Sequence, residues 1–189
     1  MVGFEITKEE FQTLAGMPLG LMFEKVLPND KKGLSAECEK SYKKYYIDEE
    51  HFADETILFK GVKETIYKFK NDGFYMAVAS SKPKRILDKM ISTFNLEGFS
   101  YVIGTEESSF KHKPDPEIVN YIMGQLNIAP QDTVIVGDSK SDILTGKNAG
   151  MDTIAVTYGY DKLENLKKEN PTFIIDDFSK LGDIIELKK

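Results

Sequence analysis

The sequence has little that would hold a fold together covalently or place it in a membrane. Its 189 residues include a single cysteine, Cys38, and no tryptophan. One thiol cannot form an internal disulfide, which fits a reducing compartment. No apolar run approaches the roughly 18 residues of a membrane-spanning helix, and the start, MVGFEITKEE, lacks the basic-then-apolar pattern of a secretory signal. These absences argue against a disulfide scaffold and a membrane partner, and they predict a cytoplasmic protein.

Excess positive charge is also absent. The sequence has 25 lysines and arginines against 31 aspartates and glutamates, a net charge of −6 at pH 7, and its pI is near 5.1. This balance argues against a nucleic-acid partner. Hydrophobic residues make up 41% and charged residues 30%, which is typical of a globular protein and too apolar for a disordered one. The length predicts one domain, or one domain with a small appendage.

The first part of the chain, 1–58, is predicted to contain helices only. Residues 7–10 have the Ser/Thr-x-x-Glu form of a capping box. Apolar residues recur with helical spacing over 19–26, and a longer helix is predicted for 35–50. One face of that helix would carry Cys38, Tyr42, Tyr45 and Tyr46.

From Gly61 onward, short apolar runs alternate with helical patterns. The runs predict strands at 74–79, 99–103, 133–136, 153–156 and 172–175. The helices between them are predicted at 62–70, after Pro83, over 116–126, up to Ala149 and over 181–187. Strands separated by helices imply right-handed crossovers, so the predicted fold is α/β with a doubly wound, Rossmann-like parallel sheet.

Polar residues follow three of the predicted strands, at the ends where open parallel sheets bind ligands. Ser80 and Ser81 follow the first strand, where a hydroxyl and backbone N–H groups at a helix start can hold phosphate. Lys113 comes after the second strand and could reach the site as a point charge. Asp138 and Asp142 follow the third strand four residues apart, hence on the same face of the incoming helix. Paired carboxylates there suit a hard cation such as Mg²⁺.

Each of these groups also has an ordinary structural interpretation. Ser81 could be a helix cap. Lys113 could belong to a solvated turn in which Asp115 caps the next helix. The acids of the third group could be a cap and a surface residue. Their occurrence at three successive strand ends, about one strand–helix–strand unit apart, favours a functional site instead.

These segments together resemble the motifs of the haloacid dehalogenase-like superfamily of phosphatases, and most of all the phosphoglycolate phosphatase and β-phosphoglucomutase branch. The matching stretches are Leu58-Phe59-Lys60-Gly61-Val62, Ala77-Val78-Ala79-Ser80-Ser81-Lys82, Lys113-Pro114-Asp115-Pro116, and Val136-Gly137-Asp138-Ser139-Lys140-Ser141-Asp142 continuing to Ala149-Gly150-Met151. The resemblance covers nearly the whole chain.

The resemblance implies a Mg²⁺-dependent phosphomonoester hydrolase of a small phosphorylated metabolite, such as a phosphoglycolate-like compound or a sugar phosphate. It implies that Ser80 binds the phosphoryl group, with Ser81 beside it. It also implies that Lys113 balances the charge of nucleophile and phosphate, and that Asp138 and Asp142 hold Mg²⁺.

The resemblance also predicts the domain organisation. Residues 1–58 would form the helical cap that sets substrate preference, and residues 59–189 would form the α/β core.

One part of the family's pattern is missing from the sequence. The family opens with an apolar strand ending in Asp-x-Asp-x-Thr, whose first Asp is the nucleophile and whose second is the acid/base, and no such motif occurs here. The segment 174–178 has strand-then-acid character, but it lies where the family has its terminal strand. Without the motif, the chain is expected to be inactive and its Mg²⁺ affinity to be weak.

The missing strand lies in the middle of the family's sheet. Without it, the strands that end at Ser80 and Gly137 are expected either to pair directly or to receive a strand from another molecule. An empty slot would leave two rows of unpaired backbone groups. An exposed slot would also favour a dimer.

Three interpretations of function stay open from the sequence. In the first, the chain is a phosphatase whose coding region continues upstream of Met1, where an Asp-x-Asp-x-Thr motif would be found. In the second, it is a natural non-catalytic relative that binds a phosphorylated ligand or a protein partner. In the third, which the placement of Lys113 and Asp138 disfavours, it is an unrelated receiver or flavodoxin-like module.

Overall fold

The computed structural model describes residues 5–7, 10, 14, 17, 19–48, 56–104 and 110–186. The chain divides into two compact units, 1–56 and 57–189, close to the boundary predicted after residue 58. Within the described ranges, no helix is both long and apolar enough to cross a membrane.

The regular elements described in the first unit are all helical. Helix α1 spans Leu19–Val26, a 3₁₀ helix spans Asn29–Leu34, and helix α2 spans Ser35–Tyr42. A π-helical segment, Lys43–Asp48, follows α2. The prediction of one continuous α-helix over 35–50 is therefore wrong, and residues 49–50 lie outside the described residues. Tyrosines and other aromatic residues are weaker helix formers than straight-chain residues, and this segment contains two.

The predicted aromatic face of the first unit is only partly packed. The ring of Tyr42 stacks on Tyr46 with centroids 5.2 Å apart and meets Phe23 edge-on at 6.2 Å. Tyr45 is 56% exposed. The predicted capping box is present, because Glu10 N–H donates to Thr7 Oγ1 at 3.1 Å and Thr7 N–H donates to Glu10 Oε2 at 2.8 Å. Most of the helix predicted after it lies outside the described residues.

The second unit alternates helices and strands, as predicted. Its strands are β1 Met76–Ala79, β2 Phe99–Ile103, β3 Val134–Gly137, β4 Asp152–Val156 and β5 Phe173–Ile175. Its helices are α3 Val62–Asn71, α4 Lys84–Thr93, α5 Glu117–Leu126, α6 Lys140–Asn148, α7 Leu163–Lys168 and α8 Leu181–Glu186. Helix α7 was not predicted, because a helix of six residues is too short to show a clear apolar period.

The strands pair in parallel but form two separate sheets. Strand β1 pairs with β2, and β3, β4 and β5 pair in that order. The expectation that the strands ending at Ser80 and Gly137 pair directly is therefore wrong, because neither sheet joins β1 to β3. Helices pack on both faces of the strands. Direct pairing of β1 with β3 would therefore require these helices to move closer together.

Helices pack on both faces of the strands, which gives the mixed α/β architecture of a doubly wound fold. On one face, Phe69 of α3 and Leu181 of α8 pack with Ile154 and Val156 of β4. On the other face, Ile143 of α6 and Leu166 of α7 bury Ala155 of β4. Successive strand residues point to opposite faces, which explains this alternation along β4. Helix α5 packs beside residues of β1, β2 and β3 on the second face.

Candidate functional site

A partly buried ion pair connects two of the residues that the sequence predicts for the site. Lys113 Nζ lies 2.7 Å from Asp142 Oδ1, and the two side chains are only 15% and 13% exposed. Lys113 comes from the loop before α5, whereas Asp142 lies in the first turn of α6. The contact therefore joins two residues that follow different strands and are 29 residues apart in the sequence. Lys113 does not belong to a solvated turn, because the side chain is enclosed.

Asp142 is also part of the cap of α6. Ser139 is the N-cap residue, its hydroxyl lies 2.6 Å from Asp142 Oδ2, and its backbone N–H donates to the same oxygen at 3.2 Å. These contacts form a capping box, which satisfies N–H groups at the helix start. The two carboxylate oxygens of Asp142 thus have different partners, one being the lysine and the other the cap. Asp142 is not a surface residue, and the cap is Ser139 rather than Asp138.

Asp138 follows β3 and lies among other acids. Its Oδ2 accepts the N–H of Tyr160 at 3.1 Å, and its carbonyl accepts the N–H of Asp161 at 3.1 Å. Burial raises the pKa of Asp138, and the charges of Asp142 and Asp161 raise it further, while the Tyr160 hydrogen bond opposes the rise. Negative charge is therefore concentrated at this strand end, where a cation would relieve it.

The raised pKa of Asp138 predicts that an uncharged replacement stabilises the fold. An acid whose pKa is higher in the folded than in the unfolded state contributes stability below the unfolded pKa and loses it as the pH rises through the folded pKa. Asp138→Asn keeps the acceptor for Tyr160 N–H and removes the charge. We expect the variant to raise the free energy of urea unfolding at pH 7 by about 1 kcal/mol. The measurement is made in EDTA, so that no metal contributes.

The pH dependence provides the control for this prediction. The difference in free energy of unfolding between Asp138→Asn and the unmodified chain should shrink as the pH is lowered, because the carboxyl group of Asp138 then becomes protonated. Asp183→Asn, on helix α8, serves as the matched substitution elsewhere in the unit. An Asp138→Asn variant that is less stable at pH 7, or whose advantage is the same at every pH, would contradict the expected charge concentration.

Ser80, Ser81 and Lys82 form the loop that follows β1. Ser80 N–H donates to the Ile103 carbonyl at 3.0 Å, and the Ser80 hydroxyl accepts the N–H of Lys82 at 3.1 Å. The N-cap position of α4 is Pro83, with no side-chain cap bond, so the interpretation of Ser81 as that cap is wrong. The loop lies close to Gly104, because a Cβ built there would be 2.4 Å from the Lys82 carbonyl oxygen.

Lys82 connects this loop electrostatically with the acids. Burial lowers the pKa of the Lys82 ammonium group, and the negative charge of Asp138 partly offsets that effect. Sequence reasoning did not select Lys82, although it directly follows the two serines. A second partly buried group near the acids is Tyr158. Burial raises its pKa to about 12, and the charges of Asp177 and Asp138 add to the effect.

The loop that carries Lys113 is held on the side that follows the lysine. Asn148 Nδ2 donates to the Pro114 carbonyl at 2.9 Å, which fixes the loop to the end of α6. Asp115 Oδ1 accepts the N–H of Glu117 at 3.0 Å. The N-cap residue of α5 is Pro116, without a side-chain cap bond, so the prediction that Asp115 is the cap is wrong.

The carboxylates at these strand ends are suitable ligands for Mg²⁺, but there are few of them. Mg²⁺ binds carboxylate oxygens and keeps several waters, and Asp138 and Asp142 supply such oxygens. Within the described ranges, no group of three or more His, Cys, Asp or Glu residues is arranged to hold a metal ion. One oxygen of Asp142 is also taken by Lys113. The residues therefore fit part of a magnesium site.

The end of β4 contributes residues that the sequence analysis missed. Asp161 Oδ2 accepts the N–H of Lys140 at 2.6 Å at the start of α6. Gly159 lies so near Asp138 that a Cβ built on it would be 2.1 Å from the Asp138 Cβ. A sequence pattern could have identified these residues. Tyr158-Gly159-Tyr160-Asp161 is a polar, glycine-containing stretch that follows an apolar strand, where ligands bind in parallel sheets.

Comparison with known proteins finds relatives along most of the chain. The sequence pattern of the haloacid dehalogenase-like hydrolases matches residues 1–156. A phosphoglycolate phosphatase of Psychrobacter arcticus is 38% identical over 131 residues, 69% of this chain and 56% of that protein. The phosphoglycolate phosphatase of Haemophilus influenzae is 33% identical over 137 residues, 72% of this chain and 61% of that protein. The chain thus spans less than two thirds of the length of these curated relatives.

Solved structures show the same fold. The crystal structure of a predicted phosphoglycolate phosphatase from Haemophilus somnus superposes with a TM-score of 0.82 at 24% sequence identity. The superposition covers 97% of this chain and 84% of that chain.

Proposed function

The chain belongs to the family of haloacid dehalogenase-like hydrolases, and from this premise we propose that its strand-end site binds the phosphate group of a small phosphomonoester. The observation that carries the proposal is the enclosed Lys113–Asp142 pair, with Nζ and Oδ1 2.7 Å apart. A lysine held in place at the carboxyl ends of parallel strands suits an anionic ligand. The named activity of the Psychrobacter and Haemophilus influenzae relatives, phosphoglycolate phosphatase, supports a phosphoglycolate-like or sugar phosphate substrate.

Each site residue has a proposed part in binding. Ser80 offers its hydroxyl and Ser81 its neighbouring N–H and hydroxyl to the phosphoryl oxygens, in the loop that leads into α4. The N-terminus of a helix favours an anion. Lys113 compensates the negative charge of the phosphate, and Asp142 orients the lysine. The helical first unit is proposed to be the cap that sets substrate preference.

Asp138 and Asp142 are proposed to hold Mg²⁺ in the complete site. The ion would supply charge neutralisation for the phosphoryl oxygens. With two carboxylates, of which Asp142 also binds Lys113, we expect the affinity of this chain for Mg²⁺ to be weak. The cation would also relieve the crowding of negative charge that raises the pKa of Asp138.

We further propose that the 189-residue chain binds phosphate esters without hydrolysing them on its own. Transfer through a phosphoaspartate needs a carboxylate nucleophile beside the phosphorus atom. Asp138 is hydrogen-bonded to Tyr160, and Asp142 is occupied by Lys113 and Ser139. The sequence has no Asp-x-Asp-x-Thr motif to supply another.

Replacement of Lys113 tests the binding proposal. We expect Lys113→Met to weaken the binding of 2-phosphoglycolate by at least about tenfold in isothermal titration calorimetry, because it removes a charge-assisted contact to the phosphate. Methionine preserves the length and the apolar stem of the side chain. Ser80→Ala should weaken binding by a smaller factor, because a neutral hydrogen bond contributes less than a charged one.

Lys111→Met is the matched control, because Lys111 lies in the same loop but is exposed and pairs with Asp115 at 3.5 Å. The control should bind 2-phosphoglycolate as the unmodified chain does. Equal affinities of the Lys113→Met and unmodified chains, with both folded by circular dichroism, would refute the assignment of Lys113 to the phosphate.

A further inference from the structure

The loop after β4 is hydrogen-bonded to the loop after β3 in both directions. Tyr160 N–H donates to Asp138 Oδ2, and Asp161 N–H donates to the Asp138 carbonyl, each at 3.1 Å. In the opposite direction, Asp161 Oδ2 accepts the N–H of Lys140 at 2.6 Å. Asp161 therefore contacts the chain on both sides of Ser139, at the carbonyl before it and at the N–H after it.

The same loop fixes the orientation of the Asp138 carboxylate. Its Oδ2 accepts the Tyr160 N–H, and the loop passes so close that a Cβ built on Gly159 would lie 2.2 Å from that oxygen. The orientation of the carboxylate therefore depends on where the loop lies. Because the Asp161–Lys140 hydrogen bond attaches the loop to the start of α6, a change at Asp161 is transmitted to Asp138.

The negative charge of Asp161 is not neutralised by the lysine that it contacts. Lys140 donates its backbone N–H to Asp161, but its ammonium group pairs with Glu169, with Nζ and Oε1 2.8 Å apart. In the part of the chain that the structure describes, no lysine or arginine is ion-paired with Asp161. The charge of Asp161 acts on Asp138, because it contributes to the raised pKa of that carboxyl group.

Asp161 is not placed to coordinate a cation together with Asp138 and Asp142. Its Oδ2 is bound to the Lys140 N–H, and among the described residues these three acids do not form a group that could hold a metal ion. A charge still acts beyond contact distance, where it attracts a divalent ion twice as strongly as a monovalent one and repels an anion. The position of Asp161 thus suits a residue that attracts a cation without binding it.

We propose that Asp161 is a positioning residue of the strand-end site, which holds Asp138 in place and whose charge attracts a divalent cation that it does not coordinate. The same charge opposes the entry of an anion when no cation is bound. The inference rests on the proposed magnesium site and adds to it a residue that is not one of its ligands. A residue that only caps α6 would have no effect through its charge, so the two roles can be tested separately.

Titration with Mg²⁺ in isothermal titration calorimetry tests the effect of the charge. Asp161→Asn keeps an oxygen acceptor for the Lys140 N–H but removes the charge, and we expect it to weaken Mg²⁺ binding about fivefold at low salt. Because the effect is electrostatic, it should decrease when KCl is raised from about 0.02 M to about 0.5 M. Asp161→Glu, which restores the charge, should bind Mg²⁺ within about twofold of the unmodified chain.

Orthophosphate gives a readout of the opposite sign. In EDTA, where no cation is bound, we expect Asp161→Asn to bind orthophosphate about twofold more tightly than the unmodified chain, because one repulsive charge has been removed. A variant that only loosens the loop should not gain affinity for an anion, because Asp138 keeps its charge. The two titrations together therefore distinguish the charge of Asp161 from its effect on the loop.

Asp161→Ala tests the positioning role. This variant loses the acceptor for the Lys140 N–H as well as the charge, so we expect it to weaken Mg²⁺ binding further than Asp161→Asn, by at least about tenfold relative to the unmodified chain. Amide hydrogen exchange should become faster at Tyr160 and at residue 161, whose N–H groups donate to Asp138. In Asp161→Asn, exchange at both amides should stay as in the unmodified chain.

Asp183→Asn, on helix α8, removes one negative charge elsewhere in the unit and should change neither affinity. With all variants folded by circular dichroism, equal Mg²⁺ affinities of Asp161→Asn and the unmodified chain would overturn the inference. A loss of Mg²⁺ affinity that is the same at both salt concentrations would also overturn it. An unmodified chain that binds no Mg²⁺ would instead refute the proposed magnesium site, and the inference would fail with it.

Discussion

Replacing Gly104 by alanine is expected to lower the free energy of unfolding by about 3 kcal/mol, the largest loss we expect from a single methyl group in this chain. A Cβ at this position would lie 2.4 Å from both the Lys82 carbonyl oxygen and the Lys84 backbone nitrogen. Neither atom is the end of a flexible side chain, so the backbone of the loop after β1 must move. Because that loop carries Ser80 and Ser81, the variant should also lose affinity for 2-phosphoglycolate.

Gly124→Ala is the matched control for this substitution. Gly124 lies inside α5, and nothing lies within 4 Å of a Cβ built there. Alanine is favoured over glycine in a helix, so Gly124→Ala should raise the free energy of unfolding by about 0.5–1 kcal/mol. Urea unfolding followed by circular dichroism measures both changes. A Gly104→Ala variant as stable as the unmodified chain would show that the loop is not packed against Gly104.

Asp142→Ala is expected to lower the free energy of unfolding by about 3 kcal/mol, through two losses. The first is the capping box at the start of α6, which leaves Ser139 without its partner. The second is the ion pair, which leaves the enclosed ammonium group of Lys113 without its carboxylate. The second loss depends on burial, because the charge of Lys113 cannot be fully rehydrated in the folded chain.

An exposed ion pair with the same N–O distance distinguishes the effect of burial on stability from the effect of distance. Lys68 Nζ and Asp72 Oδ2 are also 2.7 Å apart, but their side chains are 50% and 37% exposed. Asp72→Ala should therefore change the free energy of unfolding by no more than about 0.5 kcal/mol. The double variant Lys113→Met/Asp142→Ala should recover part of the loss, because no unpaired charge is left. Equal effects of Asp142→Ala and Asp72→Ala would contradict the enclosed pair.

The features that the sequence predicted correctly depend on local pattern. Apolar runs bounded by turns predicted each strand of the second unit to within two residues of where it lies, because buried parallel strands are short and uniformly apolar. The rule that ligands bind at the carboxyl ends of such strands then selected Lys113 and Asp142, which the structure joins in an ion pair. Their proposed roles with phosphate and Mg²⁺ stay predictions.

The features that the sequence did not predict depend on tertiary packing. The separation of β1 from β3 into two sheets cannot be read from the apolar pattern of either strand. The partial burial of Lys82 likewise follows from the packing of its loop. The capping role of Ser139 required a choice between neighbouring polar residues that only the hydrogen bonds to Asp142 could decide.

Hydrolysis of p-nitrophenyl phosphate by the 189-residue chain, with and without Mg²⁺, tests most directly whether the site binds phosphate esters without turning them over. We expect no Mg²⁺-dependent hydrolysis above the buffer rate, from the same preparation that binds 2-phosphoglycolate through Lys113. The contradicting result would be Mg²⁺-dependent hydrolysis that Asp138→Ala abolishes, because a catalytic nucleophile would then be present in the chain.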